Sequence, residues 1–437
     1  MVLSNQHSGQ SIKLITLGCA KNVVDSEHLL GQLKSSGFRI CGENSNTADI
    51  LIINTCGFIA DAKEESVNTI LLAVKQKLDR KVGKVLVMGC LSQRYREVLA
   101  QEIPEVDFFY GVNQFAELLS DLGANQKNLL YNERFQTTPP HYAYLKISEG
   151  CDRTCAFCAI PLIRGKHQSI PEETLVAEAR MLASRGVREL ILVAQDLTWY
   201  GLDIYGKRKL SRLVNKLSEI NDIEWIRLHY AYPANFPTDL LDVISNNPKV
   251  CKYLDIPFQH IDPFVLKAMR RGTGTETTIR LINKIRDKVH GIAIRTTLMP
   301  GFPGETEKAF QRLMKFVEQM RFERLGVFTY SSEEGTPAEK LGDPVSFEIK
   351  QRRASQIMEL QEQISLQLNS AKVGKIVKTL IDKKEGDYFI GRTEFDSPEI
   401  DNEVLIQQSN ADLQTGSFYM IRITGADAFD LHGQVGF

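Results

Sequence analysis

The chain has 437 residues, 43% of them hydrophobic and 24% charged, which is ordinary globular composition and enough for two or three separate cores. Lys+Arg total 53 against 54 Asp+Glu, a formal net charge of -1, so bulk charge offers no footprint for nucleic-acid binding. The N-terminus lacks the apolar core of a secretion signal and no apolar run approaches a membrane span, so a cytoplasmic location with no membrane contact is expected. In a reducing compartment 8 Cys are expected to form no disulfides and to serve metal binding or chemistry instead.

Residues 12–118 alternate short apolar runs with amphipathic stretches. Strands are expected at 12–19, 49–58, 84–90 and, more weakly, 106–111, with helices at 23–37, 62–78 and 91–103. Such alternation implies an open parallel α/β sheet. A linker follows at 128–142, marked by the tandem Pro139 and Pro140. The alternation then restarts, with strands expected at 142–148, 189–196, 224–230, 253–259, 293–302 and 324–331. Six strand–helix units fall short of a closed eight-stranded barrel, so a partial (β/α)6 barrel is expected. A long polar connector helix covers 344–374, and from there the period becomes two, with Gly and Asp turns. That is the pattern of a small antiparallel β-barrel. The chain is therefore a multidomain α/β protein with expected domains at 1–130, 137–368 (connector included) and 369–437.

The strongest chemical signal is Cys151-Asp-Arg-Thr-Cys155-Ala-Phe-Cys158, in the loop after the first strand of the second domain. Three closely spaced thiolates can hold three corners of a four-iron cube, leaving the fourth iron open to a substrate. The competing reading is a structural zinc completed by a fourth ligand such as His167. A second set is dispersed: Cys19, Cys56 and Cys90 each end a predicted strand, and the carboxyl ends of parallel strands share one edge where ligands bind. Three buried structural cysteines are the alternative there. Cys41 and Cys251 show no pattern and read as packing residues.

Lesser features lie at other strand ends. Gln195 and Asp196 end the second barrel strand and could meet a cofactor or simply face solvent. Gly301 and Gly304, in the stretch MPGFPGET, would let backbone pass an adenine, or would merely form a turn. Phe157 is either a cofactor neighbour or the plug of the cysteine loop. Gln259 and His260 end the fourth strand, where a satisfied structural histidine is the expectation.

With these motifs in place the chain resembles, over nearly its whole length, the methylthiotransferases of the radical S-adenosylmethionine (SAM) superfamily. The matching stretches are TLGCAKNVVDSE, INTCGFI, VMGCLSQRY, KISEGCDRTCAFCAIPLIRG, LDIPFQH and MPGFPGET, and the tail resembles a TRAM domain. The resemblance implies two 4Fe-4S clusters. One, on Cys151, Cys155 and Cys158, would bind SAM and cleave it reductively to a 5′-deoxyadenosyl radical. The other, on Cys19, Cys56 and Cys90, would donate sulfur, with a second SAM as methyl donor. It further implies an electron-donor protein such as a flavodoxin or ferredoxin.

Within the family, GRTEFDSPEIDNEV (391–404) and HYAYP (229–233) resemble the branch that modifies the β-carbon of an aspartate in the twelfth small-subunit ribosomal protein. The alternatives are modification of a tRNA adenosine or, in a different class, an Fe–S- or zinc-stabilised RNA-binding module. One departure is Ile170, where the family's loop often has Arg after Ser. Charge supports the ribosomal protein: residues 372–437 hold seven basic against eleven acidic side chains, which suits a basic partner better than phosphates. The acidic run Glu394, Asp396, Glu399, Asp401 and Glu403 is the expected partner contact.

Overall fold

The protein is described from a computed structural model covering residues 9–42, 44–124, 133–408 and 413–435. Residues 128–132 of the expected linker lie outside the described residues. The N-terminal sheet contains β1 (Ser11–Thr16), β2 (Arg39–Ile40), β3 (Ala48–Thr55), β4 (Val82–Gly89) and β5 (Phe108–Phe109), in the order β2-β1-β3-β4-β5. All its pairings are parallel. Helices α1 (Ala20–Ser35), α2 (Ala60–Leu78) and α3 (Cys90–Glu102) follow β1, β3 and β4.

Pleating explains why β3 is a continuous apolar run. Ile50 and Ile52 enter one core with Leu29, Leu33 and Leu86, whereas Leu51 and Ile53 enter the other with Ile70 and Val85. Two elements were not anticipated: the two-residue edge strand β2 and α4 (Phe115–Asp121). Both are too short for a legible period.

The central unit opens with β6 (Tyr142–Lys146). A two-stranded antiparallel ribbon, β7 (Ser148–Glu149) with β8 (Gln168–Ser169), then brackets the cysteine loop. The strands that follow are β9 (Glu189–Val193), β10 (Trp225–Leu228), β11 (Val250–Asp255), β12 (Ala293–Leu298) and β13 (Arg324–Val327). The sheet runs β13-β12-β11-β10-β9-β6 and is parallel throughout. Apart from the inserted ribbon, neighbours in space are neighbours in sequence, the order of an opened barrel. Leu190 and Leu192 join the large core that includes the surrounding helices, while Ile191 and Val193 pack with Tyr142 and Tyr144 on the opposite face.

The connector helix spans Phe347–Ser370. Beyond it β14 (Ile376–Glu385), β15 (Tyr388–Thr393), β16 (Glu403–Gln407), β17 (Phe418–Ala426) and β18 (Asp430–Gln434) close a five-stranded barrel, β14-β15-β16-β18-β17. The N-terminal and central units are clamped through the linker. Arg134 Nε donates to Glu27 Oε2 at 2.5 Å, its Nη1 donates to Glu178 at 3.0 Å, and Thr137 N donates to Glu27 Oε1 at 2.6 Å. The Arg134 and Glu27 side chains are fully buried, so this pairing fixes how the two units face each other.

The acidic run behaves differently from expectation. It forms the β15–β16 loop and packs against the central sheet. Asp396 is 0% exposed and accepts from Arg324 Nε at 3.0 Å and from Thr393 Oγ1 at 2.5 Å. Asp401 accepts from Tyr253 Oη at 2.7 Å and pairs with Arg295 at 3.3 Å. Glu394 accepts from Lys252 N, and Glu399 from Tyr142 Oη. Glu403 lies 3.9 Å from Lys383 within the small barrel. Asp396 and Asp401 are therefore intramolecular anchors, which corrects their assignment to a partner surface. Counting charges cannot reveal that a carboxylate is buried and matched.

Asp396→Ala is accordingly expected to destabilise the junction by about 3–5 kcal/mol, because it leaves the Arg324 charge buried without its partner. Limited proteolysis checks this: the variant should release the C-terminal barrel faster than wild type, whereas unchanged cleavage would contradict the anchoring role.

Candidate active site

The three dispersed cysteines converge as their strand ends do. Cys19 caps α1 after β1, Cys56 follows β3, and Cys90 opens α3 after β4, and these three strands are adjacent. Glycines make the approach feasible. Gly18, at φ +89°, would place a Cβ 2.7 Å from the Cβ and 2.9 Å from the Sγ of Cys56; one on Gly57 would lie 2.8 Å from Leu91 backbone. Cys56 feels the charge of Cys19, and Cys90 that of both Cys19 and Cys56. Burial pushes the Cys56 thiol up and that of Cys90 up to about 11. Burial also raises Cys19, but the charges of Lys21 and Arg164 outweigh it and its pKa falls.

The second set lies on the loop between β7 and a short helix, α5 (Ile160–Arg164). Gly150, at φ +72°, passes so close to Lys166 that a Cβ would sit 2.1 Å from its carbonyl oxygen. Backbone bonds set the loop: Cys151 N to Gly165 O, Cys158 N to Cys155 O, Ala156 N to Met269 O and Ala338 N to Ala156 O. Arg271 Nη1 lies 3.3 Å and Tyr232 Oη 3.4 Å from Cys155 Sγ. Burial holds the thiols of Cys151 and Cys158 up to about 11 and about 12. Each set is thus three largely buried thiols with cations nearby. That donor set suits a soft, multi-iron group that displaces the thiol protons.

Among the described residues no group of three or more His, Cys, Asp or Glu side chains is gathered around one point as a single metal ion requires. His167, the suggested fourth zinc ligand, instead hydrogen-bonds Ser169 Oγ at 3.1 Å and stands 3.8 Å from Asp203. All eight cysteines are free.

The two sets face each other across one seam. Arg164, the last residue of α5, donates from Nη2 to Cys90 Sγ at 3.4 Å and to Asn22 Oδ1 at 2.5 Å. Its Nη1 donates to Asp25 Oδ2 at 2.7 Å and to Glu149 Oε2 at 3.0 Å. Cys90 also packs in one apolar cluster with Ala159, the neighbour of Cys158, and Ile163.

The other candidates divide. Asp196 is committed to Arg153, accepting from its Nε at 2.8 Å and from Thr198 N at 2.8 Å. Arg153 is sandwiched by Trp199 and Tyr232, 4.4 and 4.0 Å from the ring centroids. Gln195 Nε2 donates to Glu149 at 2.6 Å, while its buried Oε1 has no protein partner. Phe157 packs against Phe302 within an apolar cluster that includes Cys155 and Tyr330. Gly301 is taken up by packing: a Cβ there would meet Lys350 of the connector helix at 2.4 Å, whereas Gly304 faces open space. The space beside the Gly301 Cα is thus filled by the Lys350 side chain. His260 is the satisfied structural histidine expected, bonded to Glu305 and Asp262 N.

Sequence reasoning missed Arg164, Arg153, Arg271, Lys21 and Tyr232. Arg153, inside the cysteine motif, and Arg164, one short helix after it, had a local signal.

Comparison with known proteins bears on this arrangement. Residues 11–111 match the model of an uncharacterised protein family (UPF0004), 145–317 the radical SAM superfamily and 373–435 the TRAM domain. The chain is 56% identical over 423 residues to the ribosomal protein uS12 methylthiotransferase RimO of Christiangramia forsetii, covering 97% of this chain and 94% of the relative. The chain belongs to the RimO family. RimO proteins of Flavobacterium johnsoniae and Bacteroides thetaiotaomicron are 54% and 52% identical, each over 97% of this chain and 97% and 98% of their own length. Among solved structures, the radical SAM methyltransferase TsrM of Kitasatospora setae superposes with a TM-score of 0.55 at 14% identity, covering 76% of this chain and 77% of that one. The cobalamin-dependent radical SAM enzyme OxsB gives 0.52 at 11%, covering 81% and 56%. At such identities these two likenesses concern the fold.

Proposed function

We propose that the protein is a radical SAM methylthiotransferase that adds a methylthio group to the β-carbon of an aspartate in ribosomal protein uS12. The observation that carries this is full-length identity above one half to RimO proteins. The two facing thiol sets agree with it. Cys151, Cys155 and Cys158 would hold the SAM-binding 4Fe-4S cluster, and Cys19, Cys56 and Cys90 the sulfur-donating one. When bound, these clusters and SAM supply the radical and sulfur chemistry.

The chain's own side chains position and shield. Arg153, locked by Asp196, Trp199 and Tyr232, braces the cysteine loop. Phe157, Phe302 and Tyr330 form an apolar wall beside it, which keeps water from the reacting atoms. Arg164 ties the two sets together, so that reacting groups meet without a diffusive step. A flavodoxin- or ferredoxin-like donor would supply electrons, and the reaction belongs in the cytoplasm with the ribosome.

Mass spectrometry of uS12 and of tRNA, from cells with and without the gene, tests the assignment. In cells with the gene, the uS12 aspartate peptide should carry one methylthio group in place of hydrogen, and that form should vanish on deletion. A methylthio group lost from tRNA adenosine instead would overturn the substrate.

A further inference from the structure

Most cations of the seam are matched by carboxylates, and Arg271, which is not, donates instead to Cys155 Sγ and the Pro257 carbonyl. Lys146 pairs with Asp25 and Glu149, Arg164 with the same two, Arg153 with Asp196, and Arg295 with Asp255 and Asp401. Lys21 is different. Among the described residues its side chain has no carboxylate within ion-pair distance and no hydrogen bond; its ammonium sits 3.8 Å from the centroid of the Tyr230 ring.

Both partners of that contact are held in place by the fold. Lys21 lies in the first turn of α1, two residues after Cys19. Tyr230 follows β10 at the carboxyl end of the central sheet, in the left-handed region at φ +64°. Its carbonyl accepts from Leu197 N at 3.1 Å, and Ala231 N donates to Asp255 O at 2.8 Å. The flanking Ala20 and Val23 pack with Tyr230 against Tyr144, Ile191 and Val193. The ammonium is thus delivered between the N-terminal thiols and the barrel mouth, partly buried, with its charge acting on the Cys19 thiol and, among the described residues, with no carboxylate in ion-pair distance.

The geometry points to Lys21 as the group that binds the carboxylate of the aspartate being modified. This rests on the uS12 reading proposed above. The reacting β-carbon of aspartate is bonded directly to the carboxylate carbon, so gripping that carboxylate fixes the β-carbon within one bond. A carboxylate entering a site walled by aromatic and aliphatic side chains also needs a charge to replace its water. The Tyr230 ring stabilises the ammonium while leaving its N–H donors free for a second acceptor. An adenine offers no anionic group beside its reacting carbon, so an unmatched ammonium selects for the acidic side chain.

The test uses the cluster-loaded enzyme with two forms of uS12, one with the target aspartate and one with asparagine in its place. Wild type should prefer the aspartate form. Lys21→Met, similar in length but uncharged, should weaken the aspartate form roughly 10- to 100-fold in Kd and KM and leave the asparagine form nearly unaffected. Lys21→Arg should restore much of the preference. The inference is overturned if Lys21→Met keeps the wild-type preference, or if it weakens both forms equally, as a purely structural lesion would. A wild type that ignores both forms of uS12 and modifies tRNA would overturn the uS12 reading along with it.

Discussion

Replacing Cys151, Cys155 or Cys158 with Ala is expected to reduce 5′-deoxyadenosine formation from SAM to background and to remove one four-iron cluster per chain. The loop carrying these residues is shaped by backbone hydrogen bonds at Cys151, Ala156 and Cys158 and by the Arg153 brace, none of which needs a thiol. Deleting one buried sulfur should cost on the order of 1 kcal/mol of packing, too little to unfold a core of this size. The loss is therefore chemical. In the proposed cluster each thiolate would bind a different iron, and Cys251 is not positioned to substitute, because it lies in the separate cluster with Trp225 and Tyr253. Iron analysis and the visible absorption of the reconstituted protein should fall together with cleavage. A triple variant that still cleaves SAM would refute the assignment.

The sequence revealed the parts of this molecule that repeat or cluster. Six consecutive strand–helix units predict the sheet order β13 to β6 because each crossover is short and right-handed connections leave little choice. The strand ends at Cys19, Cys56 and Cys90 could be read as one edge for the same reason. What stayed hidden depends on partners distant in sequence. Asp396 looks like solvated acid until Arg324, 72 residues away, is seen against it. The stretches 229–233 and 391–404 stood out separately, but that they touch, with Ser397 Oγ 2.9 Å from His229 Nε2, required the fold. Lys21 is ordinary in sequence. It becomes informative only when most of the cations around it prove to be paired with carboxylates.

The second cysteine set should fail in a different way. A triple Cys19/Cys56/Cys90→Ala variant is expected to keep producing 5′-deoxyadenosine while transferring no methylthio group, and to lose half of its cluster iron. The separation follows from topology, since these thiols end β1, β3 and β4, whereas the other three ride on the central barrel. The direct polar link from the barrel to a thiol of this set is Arg164 to Cys90. When that sulfur is removed Arg164 still has Asp25, Glu149 and Asn22, so its charge is not stranded and the seam should hold. The folded variant would then retain SAM binding on Cys151, Cys155 and Cys158 but lack the sulfur donor. The buried-cysteine alternative predicts the reverse pattern: a modest fall in thermal stability, unchanged iron, and continued transfer to uS12. Measuring 5′-deoxyadenosine and methylthiolated uS12 in the same reaction distinguishes the two. Product formed by a soluble triple variant would remove the second cluster from the mechanism, and loss of both products together would mean that the two sets are not separable in the way the fold implies.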